Sequence, residues 1–251
     1  MVRSGELSAD GLVLLETARL IEDALASGVT IPTVLFRSGA KTRHSRLFEK
    51  LPDETAIYEV APKVFDTLTT TETSPGILAL AEQPRWREED LFPTAKPPLI
   101  LVLAGLQDPG NLGTILRAAE AFGATGVLVA RDTVSPYNAK AIRATAGALF
   151  RLPILRGLSG AEIVALLRRR RVKLFTSVVS GGSPLSSTDL TGPLAIVFGS
   201  EASGAPAEFR AVGQPLTIPL AVSVESLNVA ASAAVILYEI ARQRKAGNGE
   251  S

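Results

Sequence analysis

The stretch that decides the fold is the last long apolar segment, Leu216 to Glu239, which reads LTIPLAVSVESLNVAASAAVILYE. It opens with a strand-like run that stops at Pro219, because proline cannot donate a hydrogen bond to a strand ladder. The run from Val229 to Tyr238 is too rich in alanine for a strand and predicts a buried helix. The polar turn between them holds Ser226 and Asn228, which suit the N-cap of that helix. A strand that leads through a polar turn into a buried helix is where α/β proteins bind ligands.

Two further stretches have the same character. LILVLA (99–104) leads into the turn GLQDPGNLG (105–113) and then into a helix that reaches Phe122. LAIVF (194–198) leads into GSEASG (199–204). Three buried strands that each end in a Gly- or Asn-rich turn predict one composite site at the carboxyl edge of a parallel sheet.

The composition excludes several classes of protein. A hydrophobic content of 46% in 251 residues supports a substantial core in one large domain or two modest ones. The chain has no cysteine and a single histidine, His44, which excludes a disulfide framework, a cysteine nucleophile and a metal site built from thiolates or clustered histidines. The start lacks the apolar core of a signal peptide, and no long uncharged run looks lipid-facing. We therefore expect a soluble cytoplasmic protein with no membrane contact and no metal.

The charge is unevenly distributed. Residues 1–95 hold 10 Lys and Arg against 15 Asp and Glu, whereas residues 96–251 hold 16 against 10. The acidic half nevertheless contains a basic island around His44, made of Arg37, Lys41, Arg43, Arg46 and Lys50. Basic clusters of this kind pair with phosphate or simply form a solvated face. Both interpretations of the island stay open, and the candidate RNA contacts in it are Arg43, His44 and Arg46.

The pattern of elements divides the chain. Residues 1–82 alternate β–α–β–α–β and predict a small α/β domain. Residues 83–98 are polar, hold four prolines and predict a linker. Residues 99–251 alternate strands and helices and predict a doubly wound parallel sheet, with a helix at Ala139–Phe150 and a strand at Leu152–Leu155.

Three segments then suggest a family. NLGTILR (111–117), IVFGSEASG (196–204) and IPLAVSVESLNVAASAAVILYE (218–239) resemble, in order and spacing, the three motifs of the SpoU (TrmH-like) family of RNA ribose 2′-O-methyltransferases, which belong to the SPOUT class. The resemblance covers roughly residues 98–242. More weakly, the N-terminal part resembles the substrate-binding domain that precedes many such catalytic domains.

The resemblance carries expectations about fold and chemistry. It implies an α/β catalytic domain tied in a deep trefoil knot, preceded by a small α/β substrate-binding domain. It implies S-adenosylmethionine as cofactor, a homodimer, and structured RNA as substrate, with ribosomal RNA favoured over transfer RNA.

The resemblance also assigns roles to individual residues. The residues matching catalytic or site-structuring positions are Arg117, Asn111, Glu201, Ser226 and Asn228. Those matching positions that bind the methyl donor are Ser177, Gly199, Gly204, Ile218, Leu220 and Leu227. Relatives carry a basic residue at Arg143, which adds Lys140 and Arg143 to the RNA-binding candidates. The loop from Ser177 to Gly182 departs from the common Thr-Asp-Pro-His-Gly-Gly of the family and puts contacts there in doubt.

The residues themselves leave alternatives for these roles. Arg117 sits among apolar helix residues and needs a partner or a pocket, so phosphate binding competes with an ordinary ion pair to Glu120. Asn111 is expected to cap the helix that carries Arg117. The glycines could simply permit turns, and capping alone would explain Asn228.

Other functions are compatible with parts of the pattern. A non-catalytic RNA-binding protein that kept the fold is one alternative, and a methyltransferase acting on transfer RNA is another. A nucleotide-dependent oxidoreductase is disfavoured because no G-x-G-x-x-G motif follows a strand.

Overall fold

The structure is a computed structural model that describes residues 11–70, 74–221 and 224–247. The chain divides into two compact units. The first comprises the chain up to Arg85 together with Ser135–Arg151, and the second comprises Trp86–Val134 and the chain from Leu152 onward. Residues 135–151 are therefore an excursion of the chain into the N-terminal unit.

The helices and strands alternate along most of the chain. Up to residue 85 they are β1 (Leu12–Leu15), α1 (Ala18–Ala26), β2 (Thr33–Arg37), α2 (Ser45–Phe48), β3 (Ala56–Val60), α3 (Pro62–Leu68) and β4 (Ile77–Glu82). From residue 86 to 169 they are α4 (Glu88–Leu91), β5 (Leu99–Ala104), α5 (Pro109–Ala121), β6 (Gly126–Ala130), α6 (Ala139–Thr145), β7 (Ile154–Leu158) and α7 (Gly160–Arg169). The remainder are β8 (Lys173–Val178), β9 (Ser183–Pro184), β10 (Leu194–Gly199), α8 (Ala207–Arg210), β11 (Gln214–Thr217) and α9 (Val229–Gly247).

The N-terminal unit is built on a four-stranded sheet in the order β1-β4-β2-β3. Strands β2 and β3 pair in parallel, while β4 runs antiparallel to both of its neighbours. Helix α1 begins where the Thr17 hydroxyl accepts a hydrogen bond from the Leu20 amide, which is an N-cap. The small α/β arrangement expected for this part of the chain is confirmed.

A buried carboxylate holds the excursion within the N-terminal unit. Glu16 is 2% exposed and accepts a hydrogen bond at 2.6 Å from the Arg143 guanidinium of α6. It also accepts hydrogen bonds from the backbone amide and the hydroxyl of Thr70. The Arg143 guanidinium donates in addition to the Thr70 hydroxyl, so the charge of Glu16 is both paired and fully hydrogen-bonded, as a buried carboxylate requires.

The second unit contains a seven-stranded sheet in the order β7-β6-β5-β10-β8-β11-β9. Every pairing in it is parallel, which confirms the predicted doubly wound sheet. The chain builds outward from β5 to β7 on one side and continues with β8 to β11 on the other. The junction of β5 and β10 is therefore the switch point at which open α/β sheets bind ligands.

The strands of this sheet are buried on both faces. All residues of β5 and β10 are buried, as expected when helices cover both sides. Alternate residues such as Ile100 and Val197 pack with α7, α8 and the fully buried Leu91 of α4. Helix α9 packs against α5 and β10. The core thus fixes the carboxyl ends of β5, β10 and β8 side by side.

Three sequence predictions differ from the structure. The predicted helix 139–150 ends at Thr145, because Ala146 and Gly147 both have positive φ and reverse the chain. The strand predicted at 152–155 lies at Ile154–Leu158, after a proline that cannot donate to the ladder. The predicted linker contains α4, whose Leu91 packs directly on Gly126.

Among the described residues, no helix combines the length and the apolar character needed to cross a bilayer.

We expect Glu16→Ala to lower the free energy of unfolding by about 3 kcal/mol, because it leaves Arg143 without its anionic partner in a largely buried site. Urea unfolding followed by circular dichroism measures this loss. The matched control is Arg19→Ala, since the Arg19 side chain is 81% exposed in its pair with Asp23 and such pairs contribute about 0.5 kcal/mol. Equal losses in the two variants would contradict the anchoring role of Glu16.

Candidate functional site

A cavity of about 590 Å³ opens where β8, β10 and β11 end. Its walls come from the ends of β8 and β10, the turn after β10, and the segment between β11 and α9. All six residues predicted to bind the methyl donor line it, namely Ser177, Gly199, Gly204, Ile218, Leu220 and Leu227. The structure therefore gathers these positions at one place, at the carboxyl edge that the sequence indicated.

The turn after β10 closes one wall of the cavity with backbone alone. Ser200 and Gly204 exchange two backbone hydrogen bonds, of 3.1 and 2.9 Å. A Cβ placed on Gly199 would lie 2.1 Å from the Gly204 carbonyl carbon and 2.2 Å from the Ala205 amide nitrogen. Gly204 has φ +67° and open space around it. Gly199 is thus required by close backbone approach, whereas Gly204 is required by its left-handed conformation.

Asn111 joins the three motif segments. Its Nδ2 donates to Glu201 Oε1 at 2.8 Å, and its Oδ1 accepts from Asn228 Nδ2 at 3.1 Å. These partners lie 90 and 117 residues away in sequence. The expectation that Asn111 caps its helix is wrong, because α5 begins at Pro109 and Asp108 Oδ1 accepts the Asn111 amide at 2.7 Å. Capping by Asp108 leaves the Asn111 side chain available for the other two segments.

The start of α9 and the residues just before it form another wall of the cavity. Asn228 Oδ1 accepts hydrogen bonds from the amides of Ala230 and Ala231, so Asn228 caps α9 as predicted. Its amide nitrogen simultaneously donates to Asn111. Ser226, two residues earlier, is exposed and lines the cavity. Capping and site assembly are therefore two functions of the same Asn228 side chain.

Arg117 lies on the exposed surface of α5. It forms no hydrogen bond or ion pair with any residue in the described ranges, so the alternative of an ion pair with Glu120 is not realised there. A free guanidinium on a rigid helix presents a fork of N–H donors that matches phosphate or carboxylate oxygens. All N–H donors of Arg117 are therefore available for an anionic ligand, whereas a paired arginine would first have to break its ion pair.

The predicted RNA contacts of the N-terminal unit fall into two groups. Arg43, Arg46 and Lys140 are exposed, and Arg43 lines a crevice of about 390 Å³ together with Arg37. His44 points inward instead, with Nε2 at 2.9 Å from the Pro75 carbonyl oxygen. Arg143 is engaged by Glu16. The positions of His44 and Arg143 are thus explained by internal contacts.

Arg210 also lines the cavity, from α8, and is not among the site residues predicted from the sequence. No motif flanks it, and its helix is only one turn long. The available signal was weak: Arg210 is a basic residue between the Gly-rich turn and the next strand. In the part of the chain that the structure describes, no group of three or more acidic or histidine side chains is placed to hold a metal ion.

Comparison with known families gives two matches. Residues 98–238 match the SpoU rRNA methylase family, and residues 8–79 match the MRM3-like substrate-binding domain. The first match spans the three motif segments that meet at Asn111, apart from Glu239 at the end of the third.

Individual proteins are similar over nearly the whole chain. An uncharacterised tRNA/rRNA methyltransferase of Synechocystis is 34% identical over 95% of this chain and 86% of its own length. The 23S rRNA (guanosine(2553)-2′-O)-methyltransferase RlmP of Bacillus subtilis is 29% identical over 90% of this chain and 87% of its own. The crystal structure of the SpoU methyltransferase AviRb from Streptomyces viridochromogenes, in complex with AdoMet, superposes with a TM-score of 0.86. It is 29% identical and covers 94% of this chain and 91% of that one.

Gly199→Ala is expected to lower the free energy of unfolding by about 1–3 kcal/mol, because its methyl group collides with backbone that cannot move independently of the turn. The matched control, Gly204→Ala, adds a methyl group to open space and is expected to lose about 1 kcal/mol from its left-handed backbone alone. Both values come from urea unfolding of the intact chain. A larger loss for Gly204→Ala would refute the close-approach argument.

Proposed function

Because the chain belongs to the SpoU rRNA methylase family, we propose that it transfers a methyl group from S-adenosylmethionine to a ribose 2′-hydroxyl of ribosomal RNA. The observation that carries the proposal is the hydrogen-bonded chain Glu201–Asn111–Asn228 beside the cavity. It brings together the three segments that carry the family's motifs. Relatives named as 23S rRNA 2′-O-methyltransferases support ribosomal RNA as the substrate class.

The cavity fits the proposed methyl donor. A volume of about 590 Å³ lies within the range of small-molecule sites, about 300–1,000 Å³. Ile218, Leu220 and Leu227 offer an apolar slot, and the turn at Gly199 exposes backbone groups at close range. When bound, S-adenosylmethionine supplies a methyl group already activated by a positive sulfur. The protein then needs mainly to position the reactants, which can contribute about 7–11 kcal/mol.

Arg117 is the proposed catalytic residue. Loss of the ribose 2′-hydroxyl proton develops negative charge on the oxygen, and a nearby guanidinium stabilises that charge. The same group can hold an adjacent RNA phosphate through paired N–H donors. A guanidinium stays protonated under physiological conditions and so is a poor general base. We therefore assign Arg117 charge stabilisation and phosphate binding. Glu201 and Asn228 position the site through Asn111, and Ser226 faces the same cavity.

We propose residues 1–82 as the RNA-binding part, 83–98 as the connection and 99–251 as the catalytic part. In the N-terminal unit the exposed cations Arg43 and Arg46, with Lys140 from the excursion, form the proposed RNA contact. Arg37 contributes less charge because Asp66 pairs with it at 3.3 Å. The contact of residues 8–79 with RNA is supported by their match to a substrate-binding domain.

We also propose the homodimer and the deep trefoil knot of the family. Helix α9 exposes Val235 at 41% and Tyr238 at 57%, three residues apart and therefore on one face. Tyr238 packs edge-on against Phe122 with ring centroids 6.0 Å apart, and an exposed apolar patch of this kind favours association. The knot is supported by the path of the chain, which passes from β10 across β8 to β11. It then returns to α5, the helix that follows β5, where Asn228 donates a hydrogen bond to Asn111.

The cytoplasm is the proposed location, since ribosomal RNA is modified there in bacteria. Two alternatives differ in what they predict. A non-catalytic RNA-binding protein would bind RNA without transferring a methyl group, and a transfer-RNA enzyme would methylate transfer RNA in preference to ribosomal RNA.

Arg117→Ala is expected to reduce the methylation rate about a hundredfold or more, because it removes a donor to the developing negative charge. The assay supplies S-adenosylmethionine and ribosomal RNA from a strain that lacks the gene, with transfer RNA from the same strain for comparison. Mass spectrometry of the digested nucleosides then measures 2′-O-methylation. RNA affinity is expected to fall about tenfold at most, since a single phosphate contact is lost.

Two variants complete this experiment. Arg117→Lys keeps the charge but loses the fork of donors, so an intermediate rate is expected. Arg168→Ala removes an exposed arginine of α7 that does not line the cavity and should leave the rate unchanged. An undiminished rate in Arg117→Ala rules out its catalytic role, and no methylation by the natural chain on either RNA rules out the proposed function.

Tyr238→Asp combined with Val235→Asp is expected to convert a dimer into a monomer, because burial of two carboxylates without partners opposes association. Sedimentation equilibrium gives the mass directly. Val212→Asp changes another exposed valine, 40% exposed, which is not part of α9, and should leave the dimer intact. A dimer that survives the double substitution places the interface elsewhere.

A further inference from the structure

The cavity is lined by one positively charged side chain, Arg210, that has no role in the proposed reaction. Among the described residues that line it, the charged side chains are Glu201 and Arg210. Glu201 is hydrogen-bonded to Asn111. Arg210 is exposed and forms no hydrogen bond or ion pair with any other described residue. An unpaired guanidinium at the wall of a ligand cavity has N–H donors available for an anionic group of the ligand.

The local fold holds Arg210 at that wall. Phe209, its neighbour, is fully buried in the same cluster as Ile163 and Leu166 of α7. The Phe209 carbonyl accepts the Gly213 amide at 2.7 Å, which closes the turn behind α8. Arg210 therefore extends from an anchored backbone.

The nearest acidic residue in sequence does not neutralise it. The Glu208 side chain lies against Gly160 at the start of α7, where a Cβ on that glycine would be 2.3 Å from Glu208 Oε1. Glu208 is thus committed to packing against α7. With Glu208 turned to α7 and Glu201 bonded to Asn111, the charge of Arg210 is uncompensated within the described part of the cavity.

We infer that Arg210 binds the α-carboxylate of the methionine part of S-adenosylmethionine. This inference rests on the proposed function and adds a residue that selects for the amino-acid end of the donor. The apolar slot and the backbone of the turn suit the adenosyl end, which carries no negative charge. The carboxylate is the anionic group of the donor, and a guanidinium matches its two oxygens with two parallel N–H donors.

Two ligands separate this role from a structural one. S-adenosylhomocysteine carries the carboxylate, whereas 5′-methylthioadenosine keeps the adenosine and the thioether but lacks the amino-acid part. Calorimetry on the intact protein is expected to show that Arg210→Ala weakens S-adenosylhomocysteine binding by about ten- to a hundredfold, the range for hydrogen bonds to charged groups. Affinity for 5′-methylthioadenosine should be unchanged.

Two control variants and three possible results decide whether Arg210 binds the carboxylate. Arg210→Lys should bind S-adenosylhomocysteine with intermediate affinity, and Arg168→Ala should match the natural chain. Equal weakening of both ligands would make Arg210 structural and overturn the inference, as would unchanged S-adenosylhomocysteine binding with reduced RNA affinity, which assigns Arg210 to RNA. If the natural chain binds neither ligand, the proposed function fails first, and the inference falls with it.

Discussion

Three segments far apart in sequence meet at the side-chain amide of Asn111. An amide can donate to Glu201 and accept from Asn228 at the same time, which neither a carboxylate nor an ammonium group can do. An aspartate at this position would set one carboxylate against another, and a lysine would have no acceptor for Asn228. Because Asn228 also caps α9, the amide fixes where the last helix begins relative to the turn after β10. The shape of the cavity depends on this fixed position of the start of α9 relative to the turn, because both segments line the cavity.

Much of this arrangement follows from short-range features of the sequence. Continuous apolar runs such as LILVLA predict strands buried on both faces, and a Gly- or Asn-rich turn after each strand predicts where the ligand side lies. The start of α5 is also encoded locally, because Asp108 followed by Pro109 is a common helix start. This local signal places the cap at Asp108, three residues before the cap expected at Asn111.

Other features depend on contacts that no local pattern encodes. Ala146 adopts a left-handed conformation that its residue type disfavours, so in the break after α6 the sequence signal is limited to Gly147. His44 sits in a run of exposed cations, and only the approach of Pro75 shows that its ring turns inward. Arg210 belongs to the cavity because Phe209 anchors its helix in the core, which is a tertiary effect.

Three arginines discussed above differ in whether they are paired within the protein. Arg143 compensates a buried carboxylate and so stabilises the N-terminal unit, although its position along the sequence suggested RNA binding. Arg117 and Arg210 are exposed and have no partner within the described residues, which is why they are the ones proposed to bind anions. Net charge by region therefore indicates where a polyanion could bind, while the pairing of each guanidinium decides which residues are free to bind it.

Because of the excursion at Ser135–Arg151, the N-terminal unit is encoded by two separate parts of the sequence. The polypeptide crosses between the two units near residues 85, 134 and 151. The N-terminal unit is therefore discontinuous in sequence and is joined to the second unit by three connections. A fragment cut at the proline-rich connection would forfeit α6 and leave the Glu16 carboxylate buried without its cation. A recombination event that exchanges the whole N-terminal unit must therefore replace two separate segments of the gene, one of which is internal.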